Sequence, residues 1–398
     1  MPLFCGIDRA TDHHDIAVVD DDAAGFSQLL TLLAEAGDIR EDSIPVAIET
    51  DRGLWVAALR ETGRVIYPIN PLSASRYRAR YAVSGSKSDA TDAVLLANII
   101  RTDPDAHRLL PADTQLAQAI RVLARAQQDA VWARQQIGNQ IRDLLKDFYP
   151  AALAAFAELP SGGLARADAR TILAAAPTPA QAAKLTPARL RRLLVKAGRR
   201  RDLDRDVERL RALFTDTYLH QPPMVENAMG IQLATLLRQF EAACAAADEL
   251  AEAAIAHFEQ HPDAAIVISF PGLGNLTGAR VLAEIGDDRA RFADARGLKA
   301  FAGSAPITRA SGKKTVVTHR YIKNRRLTVV GSIWAVASLR GSPGARRHFD
   351  ARRAARDWNR QAQRHLFNKF LGQLHHCLQT GQPYNEHRAF PPPFTLAA

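Results

Sequence analysis

The sequence predicts an α/β domain followed by a longer α-helical region, and three observations carry that reading. Up to about residue 110, short runs rich in Val and Ile alternate with helical patterns, the signature of an α/β unit. From residue 114 to about 261 the chain is alanine-rich and helical in period. The third observation is charge: residues 296–369 hold 18 Lys or Arg against two acids, Asp350 and Asp357. That segment carries +16 in a 398-residue chain of net +10, so the remainder carries −6.

At this length two or three cores are expected, and the composition shifts divide the chain into residues 1–112, 113–262 and 263–398. No run approaches the roughly 20 apolar residues of a membrane span. The opening Met1-Pro-Leu-Phe-Cys-Gly-Ile-Asp8 lacks the charged start and apolar core of a signal peptide, so a cytoplasmic protein without a membrane partner is expected. Cys5, Cys244 and Cys377 are odd in number and far apart, which fits small core residues and neither a disulfide framework nor a zinc cluster.

In chain order, strands are expected over residues 3–9, 14–20, 44–49 and 64–70, with helices around 24–35 and 54–61. Val65-Ile-Tyr-Pro-Ile-Asn-Pro71 ends its strand abruptly, and a helix starts near Ser88. Between 114 and 148, Leu116, Ile120, Leu123, Ala130, Ile137, Ile141, Leu144 and Leu145 recur at helical spacings, predicting a long exposed helix or half of a coiled coil. Helical sequence then runs on as a scaffold, interrupted at Pro160-Ser-Gly-Gly163, Pro177-Thr-Pro179 and Pro222-Pro223. Beyond residue 270 a mainly helical domain is expected, with a helical stretch over 321–339 and one Arg-rich helix over 345–379.

Four acids stand out in the N-terminal domain. Asp8 and Glu49 close apolar strands, where a side chain can reach the crevice beside a neighbouring strand end. Asp89 and Asp92 are three apart at a helix start and share one face. Clustered carboxylates repel unless a divalent cation offsets their charge, and Mg2+, or Mn2+ in its place, takes such hard oxygen ligands. Metal-assisted chemistry on a phosphodiester would account for the acids and the basic tail together. The segment holding Asp89 and Asp92 also reads as a serine cap followed by acids at the positive end of a helix.

Two further motifs lie downstream. Pro271-Gly-Leu-Gly-Asn-Leu-Thr-Gly278 reads as a helix-hairpin-helix turn, in which Gly272 and Gly274 bare backbone N–H groups to a nucleic-acid phosphate; it also suits an ordinary tight turn. In the polar loop that follows, Ser311 precedes a glycine and is flanked by Arg309, Lys313 and Lys314, cations able to stabilise a pentavalent phosphorus. Ser304 is a nearby alternative, and Ser-Gly in a loop also suits a plain turn. The basic C-terminal surface suits phosphate contact.

The series Gly-Ile-Asp8, Ile-Glu49, Asn70-Pro71, Lys87-Ser-Asp89-Ala-Thr-Asp92-Ala, Pro271-Gly-Leu-Gly274, Ala302-Gly-Ser-Ala-Pro306 and Ser311-Gly312 resembles the DEDD-type transposases of the insertion-sequence one-ten family over nearly the whole chain. The resemblance implies a RuvC-like (RNase H-like) N-terminal domain, a helical coiled-coil middle and a C-terminal transposase domain. It implies an acidic tetrad of Asp8, Glu49, Asp89 and Asp92 and a nucleophilic Ser311 forming a covalent phosphoserine link to DNA. It further implies DNA partners at the element ends and target, a structured bridge RNA and a homo-oligomer, dimer or tetramer. Two departures accompany it: the hairpin at residues 20–22 is short of a strand, and Asp51 adds an acid after Glu49. The alternatives are a RuvC-like structure-selective nuclease using water, and a non-catalytic DNA- or RNA-binding protein.

Overall fold

The computed structural model describes residues 5–9, 14–15, 23–39, 41–81, 89–157, 163–312 and 314–391; at residues 8, 9, 14, 15, 81, 89, 90 and 157 it describes the backbone alone. The chain divides into two compact units, Met1–Ala112 and Asp113–Ala398.

In the first unit, β1 (Cys5–Arg9), β2 (His14–Asp15), β3 (Val46–Ile48) and β4 (Ile66–Pro68) form a mixed sheet in the order β2-β1-β3-β4, antiparallel between β1 and β2 and parallel elsewhere. The helices are α1 (Ala23–Glu35), α2 (Leu54–Glu61), α3 (Pro71–Tyr81) and α4 (Asp89–Thr102). Strand alternation sorts the side chains into two cores. Cys5, Ile7, Val46 and Ile48 pack with Leu29 and Leu33 of α1 and Trp55 and Leu59 of α2. Ala47 packs on the other side with Ala74 of α3 and Leu96, Ile99 and Ile100 of α4. Gly6 belongs to that side too: a Cβ there would overlap the Ala93 carbonyl oxygen, so only glycine lets α4 lie directly on β1.

The second unit is helical except for one hairpin among the described residues. Its elements are α5 (Gln115–Phe148), α6 (Pro150–Ala152), α7 (Ala167–Ala175), α8 (Pro179–Ala182), α9 (Pro187–Lys196), α10 (Leu203–Thr215), α11 (Pro223–Glu259), α12 (Ala264–Ile268), α13 (Asn275–Ile285), α14 (Ala295–Phe301), β5 (Ile307–Ser311), β6 (Lys314–Thr318), α15 (Arg325–Gly341), α16 (Pro343–Ala354), α17 (Asn359–Thr380) and α18 (Glu386–Ala389). α5 and α11 run side by side, with Gln127 donating to the Ala247 carbonyl and Gln221 to that of Asp147, an antiparallel pair. Two cores form along it. Ile141, Leu145 and Phe148 join Leu233, Leu237 and Phe240 at one end. At the other, Ile120, Ala124 and Phe258 join a C-terminal cluster centred on Phe270, Trp334 and Phe370.

Three local expectations are corrected. The Arg-rich stretch is two helices, because Arg356 takes a left-handed conformation (φ 66°) and Asp357 ties the end of α16, accepting from Arg352 Nε (2.5 Å) while its carbonyl accepts from Arg353 (2.5 Å). The preceding helix starts at Arg325 rather than 321, where Asn324 Oδ1 caps the Leu327 N–H (2.8 Å). The polar loop around Ser311 is a β-hairpin. The short hairpin at 20–22 lies outside the described residues. All three cysteines are free and buried, and burial pushes the Cys5 thiol up to about 12.

Candidate active-site elements

In the first unit the parallel register pairs Ile7 with Ile48, so the next residues, Asp8 and Glu49, follow at adjacent positions on neighbouring strands. Asp8 lies two residues on from Gly6, the close contact with α4, and Glu49 two on from Ala47. Asp89 opens α4. Glu49 is half-buried, and Asp92 is 2 % exposed. Asp92 Oδ1 accepts from Arg78 of α3, from Nε at 2.8 Å and Nη2 at 2.5 Å. The sequence reading passed over that arginine, and nothing in a one-dimensional pattern ties positions 78 and 92. It also passed over Asp15, the Cα partner of Asp8 on β2, although Asp12-His-His-Asp15 is a visible polar run. Among the described residues no group of three His, Cys, Asp or Glu is placed to hold a metal ion. The side chains of Asp8 and Asp89 lie outside the description. The donors are nonetheless hard carboxylate oxygens, the kind Mg2+ takes.

In the second unit Ser311 ends β5 and pairs with Lys314 across a two-residue turn, with Gly312 at φ 55°. Such a tight turn needs a positive φ, which glycine adopts without a Cβ penalty. Residues two apart on a strand share a face, as do directly opposed residues of an antiparallel pair. Arg309, Ser311 and Lys314 therefore share one face of the hairpin, and all three are exposed. Lys313 lies outside the described residues.

The hairpin rises from a clamped stem. The Asn324 N–H donates to the Phe301 carbonyl (2.8 Å), joining the end of α14 to the start of α15. Asn324 Nδ2 also donates to Glu284 of α13 (2.6 Å), whose carboxylate takes two further bonds from Arg125 of α5 (2.8 Å each). Burial alone would raise the Glu284 carboxyl, but Arg125, then Asn324 and Arg326, hold it below its usual range. Ser304 belongs to this stem: it is buried, and its hydroxyl is bonded to Asn368 Oδ1 (2.8 Å) and the Lys299 carbonyl (3.2 Å). Of the two serines, Ser311 is exposed and Ser304 is buried.

The glycines of the 271–274 turn have separate roles. A Cβ on Gly272 (φ 83°) would overlap the Ser338 backbone of α15, and the Pro271 carbonyl accepts from Trp334 Nε1 (3.0 Å). Gly274 is exposed with open space at its Cβ position, and its N–H donates to Thr277 Oγ1 (2.9 Å). Asn275 donates to Glu259, which places a carboxylate beside the N-terminus of α13.

Comparison with known proteins identifies the family. A DEDD transposase profile matches residues 5–150, and the profile described as transposase, IS116/IS110/IS902 family, matches residues 264–350. The molecule is thus a transposase with a DEDD domain. The chain is 58% identical to an IS117 mini-circle transposase of Streptomyces coelicolor, covering all of this chain and 99% of that one. It is 28% identical to the IS110 43.6 kDa protein of the same species over 92% of this chain and 86% of that one, and 26% identical to the IS900 42 kDa protein of Mycobacterium paratuberculosis over 100% and 99%. The chain belongs to the IS110 family of insertion-sequence transposases. Among the described residues, no helix is long and apolar enough to cross a membrane.

Proposed function

We propose that this transposase cuts and rejoins DNA through a serine–phosphate intermediate, with Ser311 as nucleophile and Asp8, Glu49, Asp89 and Asp92 as the acids of a divalent-cation site. The observation that carries the reading is the hairpin register, which puts Ser311 between two cations on an exposed face. In the step, Ser311 Oγ bonds to phosphorus, the bond to one deoxyribose oxygen breaks, and the serine proton passes through solvent to that leaving oxygen. Arg309 and Lys314 offset the charge that builds on the phosphoryl oxygens. A hydroxyl from another strand then attacks the same phosphorus and returns the serine.

The four acids would hold Mg2+ or Mn2+, which would supply Lewis-acid polarisation of a phosphate oxygen. Asp92 would share its carboxylate between Arg78 and the cation. The mixed sheet with Asp8 on β1 and Glu49 just after β3 supports a RuvC-like first unit, and the α12-turn-α13 segment supports a helix-hairpin-helix reading, although the Gly274 N–H is held by Thr277 rather than bared to a phosphate. Family membership supports a bridge RNA, action within a dimer or tetramer and a middle region that works as a coiled coil.

The test incubates the full chain with DNA spanning the element end, with and without transcript from its flank, and resolves products under denaturing conditions. A protein–DNA adduct is expected that Ser311→Ala and Asp8→Ala abolish and Ser304→Ala retains. An adduct persisting in Ser311→Ala overturns the serine, and cutting with no adduct points to water as nucleophile. An adduct independent of transcript removes the RNA.

A further inference from the structure

The stem of the serine hairpin opens into a groove of about 1470 Å3 between α15 and α17. Its volume exceeds the roughly 300–1,000 Å3 of a small-molecule cleft, so it suits a length of chain. Its lining has an unusual composition. α15 carries two apolar stripes where packing needs one. Leu327, Val330 and Trp334 are buried in the core, while Val329, Ile333 and Val336 line the groove and stay 39 %, 44 % and 48 % exposed. Lys323, Arg340, Arg360 and Arg364 stand around this apolar floor, and among the described residues no Asp or Glu lines it. At the mouth, just before α17, Trp358 is 81 % exposed. Such an indole contributes little to the core and offers a flat face to a ligand.

We propose that this groove holds an unpaired stretch of the DNA substrate, with a base stacked on Trp358 and the phosphates against the four cations. Single-stranded nucleic acid is bound by this pairing of aromatic platform and basic track. Duplex DNA is held largely by its phosphates and would leave an apolar floor and an indole unused. DNA is the choice of strand because the class acts on DNA and because Gly303, Ser304 and His319 of the hairpin stem line the same groove. A strand opened beside the proposed scissile phosphate would have this groove next to it. The inference rests on the nucleic-acid reading of the site, and its test separates the two.

Fluorescence anisotropy of labelled single-stranded DNA, the matching duplex and single-stranded RNA would be measured at one salt concentration with the wild-type chain, Trp358→Ala and Trp358→Phe. Trp358→Ala should lose about 5- to 150-fold in affinity for single-stranded DNA, the range of one base–aromatic stack. Trp358→Phe should keep most of it, and duplex affinity should not change. Equal loss on single strand and duplex, or no loss, overturns the groove assignment. Trp358-dependent binding of RNA alone overturns the choice of DNA, and competition only by an acidic peptide makes the groove a protein site. A wild-type chain that forms the Ser311 adduct without any Trp358 dependence keeps the proposed function and loses the groove.

Discussion

Where the first unit brings acids to the ends of two parallel strands pressed against a helix, the second presents its serine at the tip of a hairpin exposed on both faces. The acids follow residues that are among the most buried of their unit: Ile7 and Ile48 are each 1 % exposed. The hairpin has no such support; a two-stranded ribbon alone is marginal in water, so its order comes from the stem that Asn324, Phe301 and Glu284 close. The difference suits the two tasks proposed for these residues. Carboxylates that share a cation must keep fixed spacing, which a packed sheet end provides. A nucleophile that must meet a phosphate on another molecule gains from protruding.

Paired glycine substitutions put that contrast at risk, beginning with the larger effect. Gly6→Ala sets a methyl into the Ala93 backbone, which cannot yield without lifting α4 from β1. A loss of about 2–4 kcal/mol from the unfolding of the first unit is expected in urea, with the second unit's transition unmoved. If the first transition does not shift, the acid-bearing end is not tightly packed.

Glu284→Gln should come next, because it removes the charge that Arg125 and Asn324 share. About 1–3 kcal/mol of the second unit's stability is expected to go, less than for a wholly buried pair because Arg125 is about a third exposed. The same site sets a pH dependence. Burial would raise the Glu284 and Asp287 carboxyls, but Arg125 in one case and Thr114 with His261 in the other hold both below their usual range. Folded values below the unfolded ones mean that the stability they add is complete above about pH 4–5 and is lost as pH falls through the lower folded values. Thermal melts across that window should show the second unit weakening with acid, and Glu284→Gln should flatten the slope.

Gly312→Ala has the smallest effect on stability. Its φ is positive but its Cβ position is open, so about 1 kcal/mol of local strain is expected and neither global transition should move. The rate of Ser311 adduct formation should nevertheless fall, since the turn sets where the hydroxyl sits. A Gly312→Ala chain as unstable as Gly6→Ala would show that the hairpin is integral to the core.

Regular elements were legible where periodicity and punctuation agreed. α1, α2 and the 34-residue α5 fall within a residue of their sequence patterns, with Thr114 capping α5 as its position suggests. α3 was missed because its surface is mostly polar, although Asn70 before Pro71 is a cap-and-proline signal, and Leu72 N–H does donate to Asn70 Oδ1 (2.8 Å). The β5–β6 hairpin was missed because cations obscure its alternation, yet the β-branched residues flanking Gly312 were readable. The break at Arg356 carries no glycine or proline, so only the bonds that Asp357 accepts reveal it.

Sequence alone determined the division of the chain into an α/β part and a helical part, the acids at strand ends and the Ser-Gly pair among cations, because these depend on neighbours a few positions apart. Tertiary structure alone decided which groups close the sites: Arg78 on Asp92, α4 against Gly6, Arg125 and Asn324 on Glu284, and the second apolar stripe of α15 left open beside Trp358. Those contacts join residues from 14 to 159 positions apart. No local preference encodes such pairs, since they exist only once packing has brought their helices and strands together.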